Sequence, residues 1–198
     1  MPFALFDMAH PASGPQNQEL LMTRNIPRIA LIVAGLLIST PLSSCAQDIR
    51  KSQLASVSQM IGKARIEISY RRPVARGRDL FGALVEWGHL WSPSADSAAV
   101  FSTTKDLSVG GGKLRAGKYS VWAIPDKTNW TIVFSSVAPA FHLRYTEGKD
   151  ALRIKAKARN GDHMETLGFY FPMVDADSAE LALHWGKTVV PMAIKASQ

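Results

Sequence analysis

The stretch Asp106–Phe134, DLSVGGGKLRAGKYSVWAIPDKTNWTIVF, constrains the fold more than any other. Its apolar residues recur every second position, the period of a β-strand and not of a helix. Three strands are expected here: Leu107–Val109, Lys118–Ile124 and Trp130–Phe134. Gly110, Gly111 and Gly112 suit a sharp reversal, because glycine takes positive φ without a steric penalty. Pro125-Asp126 stops the second strand, since proline lacks a ladder donor and aspartate favours turns. In that strand Tyr119, Val121 and Ala123 share one face, and Ser120, Trp122 and Ile124 the other. Both faces carry apolar bulk, so the strand is expected to be covered on both sides.

The same period recurs along the chain. Val57–Ile61, Ala64–Tyr70, Ala98–Thr103, Phe141–Tyr145, Leu152–Ala158, Thr166–Phe171, Glu180–Trp185 and Thr188–Lys195 are expected strands. Asn160-Gly161-Asp162 and Gly186-Lys187 are expected turns between them. One short helical turn is expected near residues 79–87, where Leu80, Phe81, Leu84 and Val85 form an apolar stripe. About ten short strands at this spacing predict an all-β fold, an antiparallel, jelly-roll-like β-sandwich occupying residues 57–196 as a single domain.

The N-terminal part has a different composition. Met22–Arg28 is basic and Ile29–Ile38 is an apolar run of signal-peptide length, too short for a comfortable membrane span. Pro41-Leu42-Ser43-Ser44-Cys45 resembles a bacterial lipobox, which implies a signal peptide over 22–45 and lipidation of Cys45. Ordinary signal cleavage after Ala46 fits the same residues and would give a soluble periplasmic or secreted product. A lipid anchor makes the membrane a partner; without aspartate after the cysteine, the outer membrane is the expected destination. Residues 1–21 are expected to be an over-extended start or disordered, and 46–56 a tether. Cys45 is the single cysteine, so no internal disulfide is available. Lys plus Arg number 23 against 16 for Asp plus Glu. That balance permits contact with anionic head groups or wall polymers; nucleic acid is set aside for an exported chain.

No phosphate loop, nucleophile elbow, zinc-protease helix or cysteine pair is present. His163-x-Glu165 would put two side chains on one strand face but lacks a third neighbouring ligand, so no metal or cofactor is expected. The densest polar group lies between Arg71 and Asp96. Within it Arg72, Arg78, His89, Trp91 and Asp96 are the candidate ligand-binding residues, for an anionic or glycan ligand. The competing expectation is that Arg72 and Arg78 pair with Asp79, Glu86 or Glu165 and pin the loop. Trp122 and Trp130 are expected in the core; Trp87 and Trp91 are the candidates for an exposed platform beneath sugar rings. The Arg153–Arg159 cations are expected on a solvated face.

Tyr70-x-x-Pro73, Gly77-Arg78, Phe81-Gly82, Trp91, the GGGKLRAGKYSVWAIPDKTNWTIVF run, Arg153, Glu165 and Trp185 resemble the family catalogued as domain of unknown function 2911, over roughly Val57 to Ile194. The resemblance implies a β-sandwich-like fold and a bacterial envelope location; it implies no activity. After the tryptophan that family usually has an Arg-Thr-Gly-Ala-Asn-like loop. This chain has Ser92-Pro93-Ser94-Ala95-Asp96, without the arginine and with Asp96 for asparagine. The expected function is a non-catalytic cell-envelope lipoprotein domain that binds a ligand, glycan or protein partner. The alternative is an exported hydrolase with an acid/base site around Glu86, His89 and Asp96.

Overall fold

The computed structural model describes residues 51–197. The expected signal segment, its Cys45 and the start at Met1 or Met22 lie outside the described residues. Ten strands follow in order: β1 Gln53–Ile61, β2 Ala64–Arg72, β3 Ala99–Thr103, β4 Leu107–Val109, β5 Gly112–Leu114, β6 Gly117–Ile124, β7 Asn129–Ser135, β8 Asp150–Lys157, β9 Arg159–Val174 and β10 Ser178–Ala196. They form a six-stranded sheet, β1-β2-β3-β6-β7-β8, and a four-stranded sheet, β5-β4-β10-β9. Every strand pairing within both sheets is antiparallel. The all-β sandwich is therefore present as expected.

Alternation decides what faces the core. Ile66, Ile68, Phe101, Val121, Ile132 and Phe134 of the larger sheet are buried in one apolar cluster with Leu167, Phe169, Leu181, Leu183 and Met192 of the smaller. Each such side chain contributes about 1.5–3 kcal/mol of transfer free energy. The other face of β6 is also covered: Trp122 is buried with Ala98 and Val133 in a second cluster. A single strand thus serves two apolar layers, as its two-faced sequence requires.

The central stretch is divided between the two sheets. Its first part is a β4–β5 hairpin in the small sheet, and its second part is β6–β7 in the large one. Val109 pairs with Gly112, leaving Gly110 and Gly111 as a two-residue loop with φ of 55° and 85°. Positive φ at both positions is the geometry of a type I′ turn, which the twist of a hairpin favours. Gly112 is needed for a different reason: a Cβ there would lie 2.5 Å from Leu152 Cδ1 on β8.

Five expectations are corrected. Residues 79–87 form turns and no helix, because Gly82 (φ 94°) and Gly88 (φ 76°) hold left-handed backbone that a right-handed helix excludes. Phe141–Tyr145 is no strand; Phe141 makes one isolated bridge to Ser97. β1 begins at Gln53, inside the stretch 46–56 expected to be a tether. Asn160-Gly161-Asp162 lies within β9, and Gly186-Lys187 within β10. There the two long strands change register, and Gly186, at φ 58°, sits between two of the shifts.

Candidate functional site

The 26-residue connection from Pro73 to Ala98 closes one end of the sandwich, and its sequence explains each attachment. Pro73–Arg76 runs along β9. Leu167 N–H donates to the Pro73 carbonyl at 2.9 Å and Ala75 N–H to the Glu165 carbonyl at 2.8 Å. The chain then turns at 79–85, where Val85 N–H donates to Leu80 O at 2.8 Å. It returns beside the large sheet: Gly88 N–H donates to Pro125 O at 2.8 Å, and Trp91 exchanges both backbone bonds with Ala123 at 2.8 and 2.7 Å. Leu80 reaches the Gly186 bulge, where a Cβ would lie 2.8 Å from Leu80 Cδ1.

Phe81 anchors this cap. Its ring lies 4.9 Å from Trp130, 6.0 Å from Trp91, 6.1 Å from Trp87 and 6.2 Å from Trp185. Trp91 stacks on Trp185 at 6.0 Å and 9°. Edge-to-face and offset pairs of this kind add to simple burial. Trp91 is therefore half-buried in the cap wall and not a free platform. Trp87 is the outermost member, 37% exposed. It lies close over Gly82, where a Cβ would meet Trp87 Nε1 at 2.4 Å.

Among the described residues, the candidates are held by separate partners. Arg72 Nε donates to Leu167 O at 2.9 Å. Arg78 donates through Nε to Ala75 O at 2.8 Å and through Nη2 to Val74 O at 2.7 Å. Arg78 thus pins the loop and Arg72 ties β2 to β9, both on backbone carbonyls and not on the expected carboxylates. Asp96, at φ 61°, faces Arg71 at 3.7 Å. His89 Nδ1 lies 3.3 Å from Glu86 Oε2, with both side chains largely exposed. A cavity of about 230 Å³ is lined by Glu86, His89 and Trp91, together with Leu84, Val85 and Leu90; it includes neither Arg78 nor Asp96.

His163 and Glu165 do share a face, with Nε2 3.0 Å from Oε2. Glu165 also accepts the Arg76 N–H. The His163 bond first, then the Arg76 N–H, holds the Glu165 carboxyl below its ordinary range. This pair is a clamp on the cap loop. Among the described residues no three His, Cys, Asp or Glu side chains group as metal ligands.

A second cleft, of about 240 Å³, is bordered by Trp87. Asp126, Lys127 and Thr128 of the β6–β7 turn line it, with Trp130, Ala158, Arg159 and Asn160, and Thr188 of β10. Asp126 Oδ1 accepts Thr128 N–H at 3.2 Å and Asn129 N–H at 3.4 Å. Those backbone bonds, Thr128 first, lower the Asp126 carboxyl below its ordinary range and fix the turn. Trp130 is 1% exposed, and its Nε1–H has no partner among the described residues. An exposed indole beside carboxylate, amide, hydroxyl and cationic groups suits a ring-shaped polyhydroxylated ligand. Sequence singled out Trp87 alone here. The polar lining comes from three separate stretches, Asp126–Thr128, Arg159–Asn160 and Thr188, none of which carries a binding signature of its own.

The family described as "Protein of unknown function (DUF2911)" matches residues 52–194. No curated protein and no solved structure matches the chain.

Proposed function

The chain belongs to the DUF2911 family of proteins of unknown function, and on that premise we propose that it is a non-catalytic cell-envelope domain that binds a glycan in the cleft beside Trp87. One observation carries this reading: the part-exposed Trp87 indole borders a cleft lined by the polar side chains of Asp126, Thr128, Arg159, Asn160 and Thr188. The Trp87 ring would stack on a sugar ring, while Asp126, Thr128, Asn160 and Thr188 supply hydrogen-bonding groups at the rim. Lys127 and Arg159 favour a carboxylated saccharide over a neutral one, although Arg159 also pairs with Glu180 at 2.8 Å. The lipobox-like sequence at Cys45 supports an outer-membrane anchor. Acyl labelling of the chain in cells should be lost in Cys45→Ser; labelling that persists would refute the anchor.

The binding test is a titration of tryptophan emission with soluble oligosaccharides, neutral and carboxylated. Saturable binding is expected, weakened about tenfold in Trp87→Ala. Unchanged affinity in that variant, or no binding by any saccharide, sinks the reading. The hydrolase alternative draws on Glu86 and His89, 3.3 Å apart beside Trp91. Saccharide cleavage in the same titration, abolished in Glu86→Gln, would put that alternative in its place.

A further inference from the structure

The four sheet edges are unequally protected. An open edge offers unpaired N–H and C=O groups to any passing strand, and proteins usually blunt it with charge, proline, shortness or cover. β5 is three residues long. β8 carries exposed Arg153, Lys155 and Lys157. β9 contains Pro172, is irregular in register, and is bridged by the cap loop through Val74 and Thr166. Among the described residues β1 shows none of these devices between Leu54 and Ile61. Its nine residues, QLASVSQMI, include no charge and no proline. Its register with β2 runs from Gln53↔Arg72 to Ile61↔Ala64 without a shift, and among the described residues it pairs with β2 alone.

The sequence of β1 is also complementary to itself. Leu54, Ser56, Ser58 and Met60 alternate outward, and Leu54 and Met60 are 64% and 51% exposed. In an antiparallel pair centred on Val57, Leu54 of one strand falls opposite Met60 of the other, and Ser56 opposite Ser58. Because the side-chain period is two, outward residues meet outward residues throughout this register. The two exposed apolar side chains of each copy would then form two identical cross-strand pairs about a two-fold axis. Such pairs are the unit of sheet stabilisation.

We propose that β1 is a homodimerisation edge, pairing antiparallel with β1 of a second copy about Val57 to join the two six-stranded sheets into one. The occupant is a second copy because the edge is uncharged and matches its own reverse.

Register-specific cross-linking tests this in the full chain with Cys45→Ser as parent, which removes the single native thiol. Directly opposed Cα atoms in antiparallel strands lie about 4.5–5.5 Å apart, within disulfide reach. Val57→Cys should therefore form disulfide-linked dimers under mild oxidation. Leu54→Cys alone should not, since the two copies of residue 54 stand about 20 Å apart. Mixing Leu54→Cys chains with Met60→Cys chains should give the mixed dimer. In sedimentation velocity the parent should associate reversibly. Leu54→Lys/Met60→Lys should weaken that association at least about tenfold while keeping the parent's melting temperature. A parent that stays monomeric, or a dimer in which Val57→Cys remains reduced, overturns the proposal. So does occupation of the edge by another chain or by the residues preceding Lys51.

Discussion

Tyr70 shows how one side chain can join the two layers. Its ring stands on β2, edge-on to Phe169 of β9 at 4.9 Å. Its hydroxyl accepts the Phe169 N–H at 2.9 Å and reaches the Phe169 carbonyl at 3.5 Å. Phe169 is buried and in register with Leu183 of β10, on a strand that forms the edge of its sheet. The hydroxyl therefore satisfies a backbone donor that no neighbouring strand reaches. Replacing it by hydrogen keeps the ring and strands the donor, which costs about 1–3 kcal/mol. Tyr70→Phe should lower the urea midpoint accordingly with an unchanged slope. An unaltered midpoint would mean that the Phe169 N–H finds another acceptor.

At the scale of elements, legibility follows how local the cause is. The β6 sequence, apolar on both faces, specifies a strand covered twice, and Trp122 and Val121 lie in separate clusters as that pattern requires. Alternation along Ala64–Tyr70 likewise gives β2. The cap loop was misleading because Leu80, Phe81, Leu84 and Val85 have helical spacing, yet their burial is set by Trp130, Trp185 and Gly186, distant in sequence. Tertiary packing and two left-handed glycines override the local period. The β9–β10 ribbon was obscured for a related reason: Asn160-Gly161 and Gly186-Lys187 have turn chemistry, but here it serves bulges within continuous strands. Of the candidate residues, Arg72 and Arg78 bond main-chain carbonyls, acceptors that side-chain patterns cannot display. The Trp87 cleft was invisible as a unit because no two of its walls are adjacent in sequence.

For the whole molecule, ionisable groups in several elements set the range of pH over which both sheets hold. Among the described residues, three carboxyls are shifted downward. Asp106 is lowered by the Ala116 N–H and then by Lys113, Asp126 by the Thr128 and Asn129 N–H groups, and Glu165 by His163 and the Arg76 N–H. A depressed folded-state value means that the unfolded chain takes up protons first as pH falls. The stability these groups contribute is therefore present above their ordinary values of 3.8 and 4.5 and is lost as pH drops through the folded ones. Among the described residues, two tyrosines are shifted upward, which carries the opposite sign. Burial raises Tyr119, and burial with the Asp150 hydrogen bond raises Tyr145. Their contribution is intact below the ordinary value of 10.0 and is lost as pH rises through the folded values. Melting temperature against pH should show an acid limb below 4.5, from the first group, and an alkaline limb above 10.0. Asp106→Asn/Asp126→Asn/Glu165→Gln should melt lower than the parent at neutral pH and converge with it in acid, because protonation has by then removed the same interactions from the parent. Acid limbs that run parallel would place the acid sensitivity in other groups.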